Sequence, residues 1–298
     1  MTVGAVPSIR DPGIKFSVEI YPPAKLEARV KLTEQLGELD GLGIYYVSVT
    51  FGAGGTTRDR TIEMVRRVIG ETSFDVAAHL TCVGASCAEV NQLIEQYEHL
   101  GVRRIVALRG DPPGGFDVPY YPHPEGYQTT ADLVAVISKC GLFDISVAAY
   151  PEKHPQSPNV KADFDTLKSK VDAGADCALT QFFFDNDRFY EFFDRALSYG
   201  ISVPIVPGIL PIMNFAQVKT FAGKCGASIP SWIVERYDGL DDDPQESLKI
   251  GLDIAIQQIV DLAAQGHREF HIYCLNRPEI VRSLISSIGF GNKSLAEV

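Results

Sequence analysis

Alternation is the feature that most constrains what this chain can fold into. Short apolar, β-branched runs recur along its length, with stretches of helical period between them. Eight runs read as strands: 16–21 (FSVEIY), 45–51 (YYVSVTF), 76–82 (VAAHLTC), 103–110 (RRIVALRG), 145–151 (ISVAAYP), 177–184 (CALTQFFF), 203–210 (VPIVPGIL) and 269–276 (EFHIYCLN). Several are apolar at nearly every position, as expected of a strand covered on both faces.

The segments between them are amphipathic. In 26–42, Leu26, Val30, Leu32, Leu36 and Leu39 fall near the i, i+3/i+4 rows, and 56–70, 87–101 and 164–175 read the same way. Three of these close on Gly, which suits a left-handed cap. The stretch 241–266 opens with Asp243 as N-cap, Pro244 at N1 and Glu246 at N3, so its acidic run reads as helix capping rather than a metal site. Strand–helix alternation repeated eight times over roughly 250 residues predicts an α/β fold, a closed (β/α)8 TIM barrel. An open doubly wound sheet is the alternative. Even spacing and the lack of a Pro/Gly/Ser-rich linker favour one barrel, with residues 1–298 as one catalytic domain, an ordered core at about 14–290 and short tails.

Composition narrows the function. With 27 Lys+Arg against 38 Asp+Glu, the chain carries a formal charge of −11, the wrong sign for a nucleic-acid platform. No stretch of about 18 apolar residues predicts a membrane span, and the N-terminus lacks the apolar core of a signal peptide. The six cysteines, Cys82, Cys87, Cys140, Cys177, Cys225 and Cys274, are too scattered for a disulfide framework. Reduced thiols in a cytoplasmic protein are expected. Cys82 and Cys87 have no second pair with which to complete a zinc set, so no metal is expected.

Polar residues stand at or just past most strand ends: Glu19, Thr50, His79, Arg109 with Asp111, Tyr150, Gln181 and Asn276. In a closed barrel these converge on the C-terminal mouth, where barrel enzymes place their chemistry. Two long loops, 111–130 and the Pro-rich 151–159, should lie on the same face. Glu19 sits inside an otherwise apolar strand, and a carboxylate there is costly unless paired or protonated. Burial would raise its pKa, as a general acid at neutral pH requires. The other reading is a Glu bonded to backbone or to an Arg in the barrel floor.

Other patterns point away from familiar chemistries. GAGGTT (52–57) lacks the third Gly of a dinucleotide fingerprint and has no acidic residue ending the next strand, so it reads as a tight strand-to-helix turn. HREFH (267–271) falls on a predicted turn and strand, which excludes a zinc-protease helix. The segment 182–193 holds six of the sixteen Phe residues, most of them expected in core and helix packing. Aromatic side chains at a mouth can also stack on a flat ring system.

The ordered motifs go further. FSVEIYPP, SVTFGAGGTTRDRT, AHLTCVG, ALRGDPP, VAAYPEKHP, KVDAGADCALTQFFFD, VPGILPIMNF, DGLDDD and FHIYCLNRPE together resemble methylenetetrahydrofolate reductase of the bacterial, flavin-containing type, from about residue 14 to 290. The resemblance implies non-covalent FAD at the C-terminal face of the barrel. It also implies reduction of 5,10-methylenetetrahydrofolate to 5-methyltetrahydrofolate by ping-pong hydride transfer from NADH or NADPH, within one-carbon metabolism and methionine synthesis. Glu19 matches the family's general acid, and Asp111 the acidic residue between flavin and pterin. Gln181, Phe215, Tyr273 and Arg277 match folate contacts. Thr50, His79, Leu108, Arg109, Gly110, Asp111, Tyr150, His154, Asp163, Thr166 and Lys170 match flavin contacts, with Thr166 where some members carry Asn. A family Tyr that packs on the cofactor corresponds to Tyr127 or Tyr121, with Tyr127 taken as the contact. The stretch after Asp111 is longer and richer in Pro than in the short bacterial pattern. Relatives imply a homo-oligomer. The competing readings are another flavin-barrel oxidoreductase, of proline-dehydrogenase type, and a non-catalytic flavin or folate carrier.

Overall fold

The computed structural model describes residues 13–52, 58–112, 118–240 and 243–289. Both tails and most of the GAGGTT turn lie outside the described residues, as do Asp241 and Asp242 of the acidic run.

Among the described residues, nine strands form one parallel sheet in the order β7-β6-β5-β4-β3-β2-β1-β9-β8. They are β1 (Lys15–Ile20), β2 (Ile44–Val49), β3 (Asp75–Thr81), β4 (Arg104–Leu108), β5 (Asp144–Ala149), β6 (Cys177–Thr180), β7 (Ile205–Val206), β8 (Gly208–Ile209) and β9 (Glu269–Tyr273). The run at 203–210, read as one strand, is two short ones split by Pro207. Val206 pairs with Leu179 of β6, and Gly208 pairs with His271 of β9, so the barrel closes across that proline. Closure needs a glycine: a Cβ on Gly208 would lie 2.2 Å from the Thr180 carbonyl oxygen and 2.7 Å from Tyr273 Cε2.

The helices alternate with the strands: α1 (Leu26–Gly37), α2 (Arg58–Glu71), α3 (Cys87–His99), α4 (Thr130–Cys140), α5 (Val160–Asp172), α6 (Asn186–Ser198), α7 (Phe215–Cys225), α8 (Ser231–Arg236), α9 (Pro244–Ala264) and α10 (Pro278–Ile288). Local chemistry starts them. Ser86 and Glu89 form a capping box on α3, and Thr129 and Asp132 form one on α4. Asn159, Asp185 and Asn214 cap α5, α6 and α7. Asp243 accepts from the Glu246 N–H with Pro244 at the helix start, as the sequence predicts. Each such cap stabilises its helix by about 1 kcal/mol. Not every Gly near a helix end is a cap, since Gly70 lies inside α2.

Two strands end earlier than their apolar runs. The ladder of β6 stops at Thr180 because side chains occupy that residue: its carbonyl accepts from Tyr273 Oη at 2.8 Å, and its hydroxyl from the Gly208 N–H. Phe182, Phe183 and Phe184 then leave the sheet and are buried beneath the helices. β9 stops at Tyr273 because Leu275 and Asn276 turn left-handed, and the Asn276 amide bonds both backbone groups of Tyr21.

Period-two alternation sorts the side chains. Phe16, Val18 and Ile20 of β1 face outward into the main core beneath the helices. Ser17 and Glu19 fall on the opposite, inner face. The barrel interior is packed by Tyr46, Ala77, Val106, Leu179 and Val206. Its N-terminal end is closed by ion pairs, Lys15 with Glu269 and Arg104 with Asp144, with the Arg104 guanidinium 4.4 Å above the Tyr45 ring. The floor Arg therefore has its own partner and leaves Glu19 to others.

Candidate active site

Above the interior layer, at the C-terminal end of the strands, lies a cavity of about 590 Å³. Its wall includes Glu19, Thr50, His79, Leu108, Arg109, Gly110, Asp111, Tyr150, His154, Asp163, Thr166, Lys170, Gln181 and Tyr273. The structure thus brings together side chains from strands far apart in sequence, as predicted for each of the strand-end polar residues except Asn276, whose amide is bonded to the Tyr21 backbone instead.

Glu19 is central. Its Oε2 lies 3.3 Å from His271 Nε2 and 3.4 Å from His79 Nε2. A buried serine meets each imidazole: Ser17 Oγ is 2.8 Å from His271 Nδ1, on the side away from Glu19, whereas Ser48 Oγ is 2.8 Å from His79 Nε2, the nitrogen that also faces Glu19. Strand register dictates this cluster, because Ser17 is level with His271 and Glu19 with Ser48. The expected rise in the Glu19 pKa is corrected here. Burial does push the carboxyl up, but hydrogen bonds and charge from His271 and His79 outweigh it and hold Glu19 at about 2. His271 was not among the sequence candidates. The available signal was a lone polar residue in an apolar strand, the same signal that marks Glu19. Its companion in HREFH, His267, is held edge-on between Phe189 and Phe193 and has no place in the site.

A basic wall stands opposite. Lys170 is buried on α5 and donates to the Ala148 carbonyl. Burial pushes its ammonium down to about 8, against the pull of Asp163. Asp163 accepts from Ser157 Oγ at 2.6 Å and from the His154 N–H at 3.2 Å. The His154 ring packs edge-on to Tyr150, and burial followed by the charge of Arg109 lowers its pKa to about 4. At the β4 end, Arg109 Nη2 lies 3.9 Å from Asp111 Oδ1. Burial raises the Asp111 carboxyl, and Arg109 partly offsets this. Gly110 is left-handed, and a Cβ there would meet Val83 Cγ1 at 2.4 Å. Beside them Thr81 Oγ1 is buried with no hydrogen-bond partner among the described residues.

Four residues that the resemblance offers as ligand contacts do not line the cavity. Tyr127 packs on the core and donates its hydroxyl to Asn91 of α3, while Tyr121 is 79% exposed. In their place Tyr120 lies against the guanidinium of Arg109, 4.8 Å from ring centroid to Cζ. Phe215 stacks on Tyr237 at 4.4 Å within a separate core cluster. The aromatic ring at the mouth is instead Phe221, one and a half turns along α7, which lines the cavity and stacks on Phe182 at 5.3 Å. Arg277 is exposed beyond β9 and pairs with Glu279.

Comparison with known proteins gives one answer. The family model for methylenetetrahydrofolate reductase matches residues 7–289. The 5,10-methylenetetrahydrofolate reductase of Escherichia coli (strain K12) is 42% identical over 276 residues, covering 93% of this chain and 91% of that one. The enzyme of the same name from Pectobacterium carotovorum subsp. carotovorum is 41% identical over 278 residues, covering 93% and 90%. Among solved structures, the fold is similar to an uncharacterised Clostridium thermocellum protein that binds two copies of 5-methyl-5,6,7,8-tetrahydrofolic acid. The TM-score is 0.62 at 15% identity, over 92% of this chain and 93% of that one.

Proposed function

The chain belongs to the methylenetetrahydrofolate reductase family, and from that premise we propose that it reduces 5,10-methylenetetrahydrofolate to 5-methyltetrahydrofolate with non-covalent FAD and NADH or NADPH. The observation that carries this reading is the convergence on one cavity of an acid cluster, Glu19 with His79 and His271, and a basic wall of Arg109 and Lys170.

The donor set suits a flavin dinucleotide. Arg109 and Lys170 offer cationic donors for a diphosphate. Asp163 offers acceptors to ribose hydroxyls. The unpartnered Thr81 hydroxyl at the cavity wall is a donor lacking an acceptor, as expected where a polar ligand completes the bonding. Bound there, the flavin would supply the two-electron chemistry, accepting hydride from the nicotinamide and passing it to folate after the donor has left.

The chain's own residues handle the proton and the positions. Glu19 would deliver a proton to the bridging nitrogen of the folate, opening its five-membered ring to an electrophilic iminium. Both imidazoles, of His271 and His79, face the same carboxylate oxygen, Glu19 Oε2, and are therefore placed to pass a proton to it. Asp111 faces the pterin side, Gln181 and Tyr273 orient the folate head, and Phe221 provides a flat face at the entrance. Exposed Arg277, off the cavity wall, would meet the folate's acidic tail, whereas Tyr127 and Phe215 pack against neighbouring side chains. The reading treats residues 1–298 as one catalytic domain of a cytoplasmic homo-oligomer; no helix of the described residues is long and apolar enough to cross a membrane.

Anaerobic spectroscopy tests the proposal. The yellow holoprotein should bleach with NADH or NADPH and recover its colour on adding methylenetetrahydrofolate. Bleaching without recovery points to another flavin oxidoreductase, and a bound flavin that no donor bleaches points to a carrier.

A further inference from the structure

Residues 118–129, in the loop after β4, include a tyrosine that reaches the wall of the site. The Tyr120 ring lies 4.8 Å from Arg109 Cζ. Among the described residues, the hydrogen bond and ion pair of that guanidinium come from its immediate neighbours: Nε donates to the Gly110 carbonyl at 3.2 Å, and Nη2 stands 3.9 Å from Asp111. Among the described residues, Tyr120 is the ring that reaches Arg109 from outside its own turn.

Tyr120 is itself fixed. Its hydroxyl lies 3.8 Å from Sγ of Cys82, a buried residue just past β3, and the same thiol donates to the Arg109 carbonyl at 3.6 Å. Two residues earlier, the Val118 carbonyl accepts from Gln156 of the loop following β5. The strap is thus tied on both sides of Arg109. A guanidinium held on an aromatic face keeps its charge and its outward donors while losing the freedom to swing.

We propose that Tyr120 is a positioning residue that stacks on Arg109 and presets its guanidinium to grip the diphosphate of the flavin dinucleotide. This rests on the reading that the cavity takes FAD. An arm ordered before binding loses less conformational freedom on binding, so the effect falls on affinity for the phosphate-bearing ligand.

The test is fluorescence titration of the flavin-free protein with FAD and with riboflavin, which lacks the phosphates. Tyr120→Leu should weaken FAD binding about tenfold, the scale of one cation–π contact, and leave riboflavin binding unchanged. Tyr120→Phe keeps the ring and should stay within about twofold of wild type. In an Arg109→Met background, Tyr120→Leu should add no further loss. Thermal melting of the flavin-free variants checks folding, and Tyr120→Gln replaces Tyr120→Leu if the latter melts early. Wild-type FAD affinity in Tyr120→Leu overturns the proposal. So does equal weakening for FAD and riboflavin, or a Tyr120→Phe variant as weak as Tyr120→Leu. A wild-type protein that takes up no FAD overturns the functional reading and this proposal with it, an outcome visible before any variant is made.

Discussion

His271 Nε2 lies 3.3 Å from Glu19 Oε2, although 252 residues separate the two in sequence. The parallel pairing of the first and last strands makes this contact. It explains how a carboxylate sits inside a barrel without an arginine, and it sets an imidazole against the proposed acid. Glu19→Gln should therefore keep FAD bound and reducible by NADH while folate reduction falls by about 10²–10⁴-fold. Stopped-flow reoxidation of the reduced flavin by methylenetetrahydrofolate measures it. Wild-type rates would remove Glu19 from the acid role.

The same contact makes a pH prediction. Glu19 is held at about 2 against an ordinary 4.5. A depressed carboxyl contributes stability that is complete above 4.5 and is lost as pH falls toward about 2. His271→Leu removes one of the groups that lower it, while burial still pushes it up. Acid unfolding followed by circular dichroism should then begin at higher pH in His271→Leu than in wild type. An unchanged acid midpoint would show that His271 does not hold the carboxyl.

Lys170 works in the other direction. Its ammonium is pushed down to about 8 by burial. Above that pH, binding an anionic diphosphate requires the lysine to take up a proton. FAD affinity should fall up to about tenfold per pH unit above 8, and the slope should vanish in Lys170→Met. Titrations at pH 7 to 10 read this directly. A slope that survives the substitution would belong to another group.

Two phenylalanines separate ligand contact from packing. Phe221 is 42% exposed at the mouth, whereas Phe215 is stacked on Tyr237. Phe221→Ala should raise KM for folate several-fold and lower stability by less than Phe215→Ala does, because much of its ring is already in water. Phe215→Ala should lower stability by about 1–2 kcal/mol and spare KM. Steady-state kinetics and urea unfolding of both variants decide it, and the reverse pattern would restore Phe215 to the site.

Much of this was legible in the sequence, for identifiable reasons. Barrel topology follows from alternation, and the strand-end polar residues converge because a parallel barrel gathers every strand's C-terminal end on one face. Asp243 was readable as a cap because capping is local. What the sequence hid was set by register across the sheet. Burial alone argues for a raised Glu19 pKa; the opposite direction requires knowing that His79 and His271 are its inward neighbours. The resemblance implies a folate contact at Phe215, but helix phase stacks that residue on Tyr237 and turns Phe221 toward the cavity. Nothing local marks Tyr120, because its contact depends on where the Arg109 guanidinium lies in space.

Gly208→Ala tests closure of the barrel. The added methyl would meet the Thr180 carbonyl at 2.2 Å, so a loss of about 1–3 kcal/mol or more is expected. Chemical denaturation should show it, together with weaker FAD binding, because Thr180 and Tyr273 move with the seam. A variant as stable as wild type would mean that the wall yields easily at this point.

The split at Pro207 has a kinetic corollary. Elsewhere adjoining strands share longer ladders, but here two residues pair on one side and two on the other. Amide protons along this stretch should exchange with solvent ahead of those in β1 to β5. The hinge line of any breathing motion then runs beside Tyr273, so the cylinder would loosen first where a bulky pterin must slide in.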